Sequence, residues 1–228
     1  MVIQGSTATR AEISASALAS GAAEAAASGG AVADLRRDAY GHGLLQVARA
    51  VHDAGIGMVR VDDEATAGML RAAGLAASST ARPDVDPAVL YGFGRGRRSA
   101  MRLHGRVLSL KPLRRGEGVS YGYTHTAEAD TTVALVAGGY AQGIVRALGN
   151  RVGVEIAGAM HPIVGRVAMD VCVVDVGEAK VHVHDEASYF GGEGPAAAAL
   201  TTWSTITGLT PAELATVCGL RAVRAEGD

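Results

Sequence analysis

The sequence predicts a chain in two parts, an α/β part at the N-terminus and a mostly β part after it. Up to about residue 80, short apolar runs alternate with alanine-rich helical stretches, which is typical of a βαβα order. The stretch SSTARPDVDP then interrupts the pattern with the residues of a linker. Beyond it, β-patterned runs are separated by glycines. We therefore divide the chain into an α/β segment (1–80), a linker (81–97) and a β-domain (98–228).

The N-terminal part contains about two βα units. In chain order, the predicted elements are helix AEISASALASGAAEAAA, strand AVADL, helix GLLQVARAVHDAG, strand GMVRV and helix DEATAGMLRAAG. Each strand is short and apolar, and each helix carries small apolar residues at helical spacing. Such alternation predicts a small parallel sheet covered by helices.

The C-terminal part is predicted to be mainly β-strands. The candidate strands are RVLSLKPL, GVSYGYTHT, TTVALVAGGYA, GVEIAG, HPIVGRVAMDVCVVDVG and KVHVHDEASYF. Period-two alternation in VCVVDV and KVHVH indicates strands with one exposed face. Near the end, TTWSTITGLTPAELATVCGL indicates one or two helices, with Thr210 as N-cap, Pro211 in the first turn and Glu213 at the third position.

Composition excludes several classes of function. The chain has 228 residues, 48% of them hydrophobic, and a formal charge of −2, which argues against nucleic acid as a partner because phosphate binding needs a concentrated basic surface. Cys172 and Cys218 have no CxxC spacing, so neither a disulfide framework nor a zinc site is expected. No apolar run is long enough to cross a bilayer and the N-terminus lacks a secretory signal pattern, so we expect a cytoplasmic protein.

Four segments occur in the order found in one enzyme family. They are DAYGHG (38–43), GEGVSYGYTHTA (116–127), GGYAQG (138–143) and HPIVGRVAMD (161–170). With these segments the chain resembles the alanine racemases, pyridoxal-phosphate enzymes of fold type III. The resemblance implies an N-terminal α/β barrel that carries the cofactor, a C-terminal β-domain, and a dimer whose active site forms between the barrel of one subunit and the β-domain of the other.

The chain departs from that family at the position of the cofactor's lysine. The family's lysine stands two residues before the aspartate of the first motif, and here that residue is Arg36. A guanidinium stays protonated and cannot supply the free amine that forms a Schiff base. The chain's two lysines, Lys111 and Lys180, both lie in the β-rich part and are not natural substitutes. The resemblance therefore implies pyridoxal phosphate as cofactor, while Arg36 and Ala212 replace the lysine and a phosphate-contacting tyrosine with which the family binds it.

Most of the family's barrel is missing. A closed barrel of this type takes about 250 residues, and fewer than a hundred precede the β-domain here. The predicted fold is therefore an α/β remnant of a TIM-type barrel plus a mostly β, barrel-like C-terminal domain of the alanine racemase type. We expect the remnant to expose hydrophobic helix faces and strand edges that drive association. At the spacing of the family's pyridine-contacting arginine stands Val85, and Arg82 matches only with an insertion.

By resemblance, four residues are candidate site residues. Tyr121 matches the catalytic tyrosine, Met169 and Tyr140 match substrate-binding positions, and Tyr40 matches a tyrosine that contacts the cofactor phosphate. Ala212 stands where the family has its second phosphate-contacting tyrosine. Further departures lie beside these residues, at Gln142, Ala168 and Val171. Racemisation by the family's route needs a base on each face of the substrate carbanion, and only Tyr121 is left to supply one.

Two other sequence patterns indicate a binding site less specifically than the family motifs do. The arginines of GFGRGRRSAMRLHGR (92–106) lack the spacing of a phosphate loop and interleaved aromatic residues, so a solvated loop is expected. His182 and His184 are expected on one face of a surface strand, and no third ligand has recognisable metal-site spacing. No metal is therefore predicted.

Three hypotheses follow for the function. The chain could be a partner or regulatory homologue of a complete amino-acid racemase, impaired when alone, with itself or that racemase as dimer partner. It could instead be an active racemase that interconverts L- and D-alanine, or acts on another small amino acid, with a substitute for the lysine. A decayed relic without a catalytic role is the third possibility.

Overall fold

Three short parallel strands form the core of the N-terminal part. In the computed structural model, which describes residues 6–94, 96–119 and 124–228, their order is β2 (Val32–Asp34), β3 (Met58–Arg60) and β4 (Ala77–Ser78). The strands predicted at AVADL and GMVRV are thereby confirmed. The derivation of this small sheet from a larger barrel stays a prediction.

Helical segments follow each strand and pack against the sheet. They are α1 (Ala15–Ala27), α2 (Arg36–Tyr40), α3 (Leu44–Asp53), α4 (Glu64–Ala72) and α5 (Pro87–Leu90). Two of them begin with a polar cap, since Asp63 accepts a hydrogen bond from the Thr66 amide at 2.8 Å and Asp86 accepts one from the Ala88 amide. The segment α2 is a left-handed turn rather than an ordinary helix.

The first strand of the chain was not predicted. Residues from Ala11 onward were expected to be helical, but β1 (Arg10–Ile13) is a strand, in which Ala11 and Ile13 are buried. The helix begins only after Ser14, whose hydroxyl accepts a hydrogen bond from the Ala17 amide at 3.1 Å and so caps α1. Although β1 lies in the N-terminal segment, it belongs to the sheet of the C-terminal part.

A mixed sheet of eight strands forms most of the C-terminal part. Its central strand, β5 (Met101–Leu113), pairs in its first half with β1 and β12 (Glu186–Phe190), and in its second half with β8 (Thr131–Ala137). The remaining strands are β9 (Gly153–Ile156), β10 (Ala159–Pro162), β11 (Val171–Asp175) and β13 (Val223–Glu226). A separate hairpin pairs β6 (Gly118–Val119) with β7 (His125–Thr126).

The strand predicted over KVHVH is wrong. The chain turns there, and β12 begins only at Glu186. Asp185 closes the turn by accepting a hydrogen bond from the His182 amide at 2.7 Å, and His184 has a positive φ of 78°. His182 and His184 are therefore not neighbours on one strand face.

The two C-terminal helices match their predicted signals. They are α6 (Ala199–Thr207) and α7 (Pro211–Arg221). Thr210 and Glu213 form a reciprocal capping box, in which the Glu213 carboxylate accepts from the Thr210 amide at 2.7 Å and the Thr210 hydroxyl accepts from the Glu213 amide at 3.2 Å. The predicted N-cap is thereby confirmed.

The exposed hydrophobic helix faces and strand edges expected for the N-terminal part are not found among its described residues. Among its described residues, only Leu45 and Met69 are large hydrophobic side chains with high exposure. One carboxylate, that of Asp84, accepts hydrogen bonds from the edge amides of Ala31 and Val32 at 2.9 and 2.8 Å. These contacts cover the start of the β2 edge, so unpaired strand amides are fewer than the sequence suggested.

The hydrophobic core is continuous between the two parts. One cluster of buried side chains includes Leu35 and Val47 of the first part together with Met101, Leu103 and Trp203 of the second. No helix among the described residues is long and apolar enough to cross a membrane.

Candidate functional site

The segment that carries the DAYGHG motif has a strained backbone. After β2, the residues Arg37, Asp38, Ala39 and Tyr40 all have φ near 55°. Left-handed backbone costs about 1–2 kcal/mol for each non-glycine residue, and such strain often occurs at functional sites. Two hydrogen bonds stabilise the turn: Asp62 accepts one from the Arg37 amide at 2.7 Å, and Asp38 accepts one from the Leu44 amide at 2.7 Å.

Arg36 is bound to a neighbouring carboxylate. Its Nε and Nη2 donate to the two oxygens of Asp34 at 2.9 and 2.6 Å, which is the forked geometry of a strong Arg–carboxylate pair. Burial acts to raise the pKa of the Asp34 carboxyl, but the hydrogen bonds and charge of Arg36 outweigh it and hold the pKa below its ordinary value. Asp34 in turn raises the pKa of Arg36, so this guanidinium stays charged.

Tyr40 joins the same cluster. Its hydroxyl donates to Asp34 Oδ2 at 3.2 Å, and its ring lies 5.2 Å from the ring of Tyr91. Burial and the nearby Asp34 carboxylate raise the pKa of Tyr40 to about 12. The tyrosine therefore remains a neutral phenol whose proton is already shared with Asp34.

A cleft of about 540 Å³ opens between Tyr40 and α7. Its lining includes Ala212, so the structure brings together the two positions that the resemblance assigned to phosphate contacts. The other lining residues are Gly143, Val145, Leu209, Thr210, Glu213, Leu214, Thr216 and Val217. The cleft is mainly apolar, and the carboxylate at its edge, Glu213, is occupied with the capping box of α7.

Two glycines allow α2 to approach α7 closely. A Cβ atom at Gly41 would lie 2.8 Å from Gly219 Cα, and one at Gly219 would lie 2.7 Å from the Gly41 carbonyl oxygen. Arg224 ties the same segment to the C-terminus, because it forms an ion pair with Asp38 and donates to the Gly41 carbonyl oxygen at 3.1 Å. The motif turn is thus fixed on the C-terminal part.

His42 is fully buried beneath the turn. Its Nδ1 lies 3.1 Å from the carbonyl oxygens of Ala39 and Tyr40, and its ring centroid lies 4.5 Å from that of Tyr91. Burial lowers the pKa of His42 to about 4. It is therefore a neutral packing residue at neutral pH.

The predicted substrate-binding residues lie on two adjacent loops. The Tyr140 amide donates to the Ala168 carbonyl oxygen at 3.0 Å, and the Ala141 amide donates to that of Met169 at 2.9 Å. Gln142 donates to Asp170 at 3.2 Å, which adds a side-chain link between the loops. The side chains of Tyr140 and Met169 are exposed, 39% and 54% respectively.

The remaining residues considered in the sequence do not contribute to the cleft among the described residues. Tyr121, the predicted catalytic residue, lies outside the described residues. Val85 is buried in the core, and its amide donates to the Val32 carbonyl oxygen at 3.1 Å, so it packs rather than contacts a ligand. Arg82 is exposed. Asp34 was not predicted as a site residue, although its spacing of two and six residues from Arg36 and Tyr40 is visible in the sequence.

Comparisons with known proteins identify the family of the chain. The family model described as alanine racemase, C-terminal domain, matches residues 100–225. The alanine racemase of Mycolicibacterium vanbaalenii is 50% identical over 98 residues, which is 42% of this chain and 25% of that protein. The chain spans about a quarter to a third of the length of the curated relatives it matches.

Solved structures share the fold. The alanine racemase of Streptomyces lavendulae superposes with a TM-score of 0.82 at 21% identity, covering 99% of this chain and 98% of that one. The racemase of Bartonella henselae with covalently bound pyridoxal phosphate gives 0.78 at 17% identity, covering 96% and 99%. The resemblance seen in the sequence motifs is confirmed, and the chain belongs to the alanine racemase C-terminal domain family.

Proposed function

We propose that this chain is a racemase homologue that does not racemise amino acids alone and acts as a partner of a complete alanine racemase. One observation carries the proposal: Arg36, which by resemblance stands at the position of the family's Schiff-base lysine, has its guanidinium bound to Asp34. Arginine has no free amine at physiological pH, so it cannot form the covalent link to the cofactor.

The described residues do not fit pyridoxal phosphate, the cofactor of the family. The Tyr40 hydroxyl already donates to Asp34, and Ala212 has no hydroxyl. Helix N-termini commonly bind phosphate through free amides, but at α7 the Glu213 carboxylate accepts from the Thr210 amide and adds negative charge beside the cleft. We therefore derive no catalytic step through this cofactor.

The side chains that face solvent support a partner role. Tyr140 and Met169 are exposed on loops held together by backbone hydrogen bonds, so they are available to a second chain. By family resemblance these residues and Tyr121 act on the active site of the neighbouring subunit. The barrel that they would complete belongs to the partner, either a second copy or a full-length racemase.

The first experiment measures D-alanine formation from L-alanine by the purified chain, with and without added pyridoxal phosphate. We expect no turnover above background in either condition. Turnover that requires the cofactor and disappears in Tyr121→Phe would instead establish an active racemase with a substitute for its lysine.

A second experiment tests the partnership. The chain is titrated into a complete racemase, such as the relative from Mycolicibacterium vanbaalenii, while association is followed by sedimentation and activity by D-alanine formation. We expect a mixed dimer and at least a twofold change in rate. Met169→Glu should abolish both, while Met160→Glu, an equally drastic change at another exposed methionine, should abolish neither. If the chain shows no activity and does not associate with the racemase, it is a relic.

A further inference from the structure

A group of charged side chains lies on one face of the C-terminal sheet, apart from the cleft. It contains Glu12 of β1, His104 of β5 and Glu186 of β12. These strands are neighbours: the register pairs His104 with Ser188 and Glu12 with Arg102. Because directly opposed residues of antiparallel strands point to the same side, the whole group shares one face.

His104 faces a carboxylate with each ring nitrogen. Its side chain is only 6% exposed; Nδ1 lies 2.8 Å from Glu186 Oε2, and Nε2 lies 3.4 Å from Glu12 Oε1. A neutral imidazole has one N–H and one lone pair, so it can serve only one of these carboxylates as donor.

The closer contact places the N–H at Nδ1, facing Glu186. Nε2 then directs its lone pair towards Glu12, and this buried nitrogen has no hydrogen-bond partner among the described residues. Two acceptors that face each other repel, whereas a cation between them would be bound by both. We propose that His104 Nε2 and the Glu12 carboxylate bind a divalent transition-metal ion of the Zn²⁺ class, with Glu186 orienting His104.

The geometry suits such an ion. Zn–N and Zn–O bonds of about 2.0–2.2 Å place two ligands of a tetrahedral ion roughly 3.3 Å apart, and Nε2 and Oε1 are separated by 3.4 Å. One ligand atom from each of the three residues lies within 4.8 Å of the others. An imidazole nitrogen beside carboxylate oxygens favours Zn²⁺ and related ions over Mg²⁺ or Ca²⁺, which take oxygen ligands. Water would complete the coordination through the exposed side of Glu12.

Arg102 leaves the required oxygens free. It contacts Glu12 through Oε2 at 3.3 Å and Glu186 through Oε1, and it donates to the Ser188 hydroxyl at 2.7 Å. The other oxygen of each carboxylate is the one turned towards His104. Arg102 thus positions both carboxylates through the oxygens that do not face His104, as hydrogen-bond partners of metal ligands commonly do. The Glu186–His104 contact has the arrangement of a carboxylate–histidine–metal triad.

The test is a titration of the metal-free chain with Co²⁺, read by its visible absorption, followed by displacement with Zn²⁺. We expect one bound ion per chain and a loss of affinity of at least tenfold in Glu12→Gln and in His104→Gln. Glu186→Gln should weaken binding by about 10–100-fold, the usual effect of removing such an orienting group. Glu193→Gln is the matched control, because Glu193 is an exposed acid that lines the same surface pocket as Glu12, separate from the cleft beside Tyr40, but lies outside the cluster.

A thermal melt gives an independent measurement. A metal that binds only the folded chain should raise the melting temperature of the wild type and of Glu193→Gln, but not of Glu12→Gln. The proposal is overturned if the wild type and Glu12→Gln bind Co²⁺ and Zn²⁺ equally, or if neither binds. Should His104→Gln fail to fold, the more exposed Glu12 alone decides the outcome.

Discussion

At the scale of single residues, Arg36 differs from the family's lysine in its chemistry but provides a charge partner for Asp34. By resemblance it stands where the family has a lysine amine, and its guanidinium neutralises Asp34, a carboxylate only 7% exposed at its side chain. A buried carboxylate without such a partner is costly, so Arg36 has a structural reason to be there. Ala212, across the cleft, has no comparable contact and simply lacks the hydroxyl.

Restoring both groups tests this assignment. In the double variant Arg36→Lys with Ala212→Tyr, we expect borohydride to fix pyridoxal phosphate covalently at residue 36, because a lysine amine can form a Schiff base. The wild type should show no adduct at this position, as measured by mass spectrometry of its peptides. Arg37→Lys with Ala212→Tyr adds an amine at an exposed neighbour, and equal labelling of the two variants would refute the special position of residue 36.

His42 makes stability depend on pH. Its pKa is about 4 in the folded chain against an ordinary value of 6.5. The unfolded chain therefore binds more protons between these values, and stability present above pH 6.5 is lost as the pH falls towards 4, by about 3 kcal/mol in total. Urea unfolding at pH 7 and pH 4.5 measures this loss.

Two variants test whether His42, and not another titrating group, causes this pH dependence of stability. His42→Phe keeps an aromatic ring against Tyr91 and should show a smaller loss of stability between the two pH values than the wild type. His52→Gln, on an exposed part of α3, should behave like the wild type. If His42→Phe keeps the full pH dependence, the effect arises elsewhere.

At the scale of elements, the contact between α2 and α7 joins the motif turn to the C-terminal helix. Both backbones come so close at Gly41 and Gly219 that neither position has space for a side chain. The cleft beside Tyr40 depends on this contact, because α7 supplies half of its lining residues.

Gly219→Ala should destabilise the chain. The added methyl group would lie 2.5 Å from Met101 Cε and 2.7 Å from the Gly41 carbonyl oxygen, and overpacking of this kind costs about 1–3 kcal/mol. Gly57→Ala is the control, since nothing lies within 4 Å of its added Cβ. Chemical denaturation measures both, and equal stability of the two variants would mean that α2 and α7 can separate freely.

At the scale of the whole molecule, the two predicted parts share one core. Buried side chains form a continuous cluster from Ala11 to Cys218, and β1 crosses from the first segment into the second sheet. An α/β segment that depended on a missing barrel would leave wide apolar faces, yet few large apolar side chains of the N-terminal part are exposed.

We therefore expect the chain to unfold as one cooperative unit. Trp203 is the chain's only tryptophan and is fully buried in the C-terminal part, so its fluorescence reports that part, whereas far-ultraviolet circular dichroism also reports the helices of the first. The two signals should give the same midpoint in urea. Two separate transitions would show that the N-terminal segment unfolds independently.

The sequence by itself determined the features that depend on neighbouring residues. The partners of the capping box, Thr210 and Glu213, are only three positions apart, and the family motifs are short segments in order, so both were readable without a structure. The prediction that Arg36 stands at the family's lysine position likewise depended on a short local motif. The turn at His182 was missed because alternation alone does not reveal that Asp185 binds the backbone.

Only the tertiary structure decided what distant residues do together. Tyr40 and Ala212 line one cleft although 172 positions separate them, and Glu12, His104 and Glu186 meet because three strands pair in a fixed register. It also decided that Arg36 and Tyr40 are committed to Asp34, and that Asp84 covers a strand edge. These outcomes depend on distances between side chains, which packing of the whole chain sets and which no local pattern encodes.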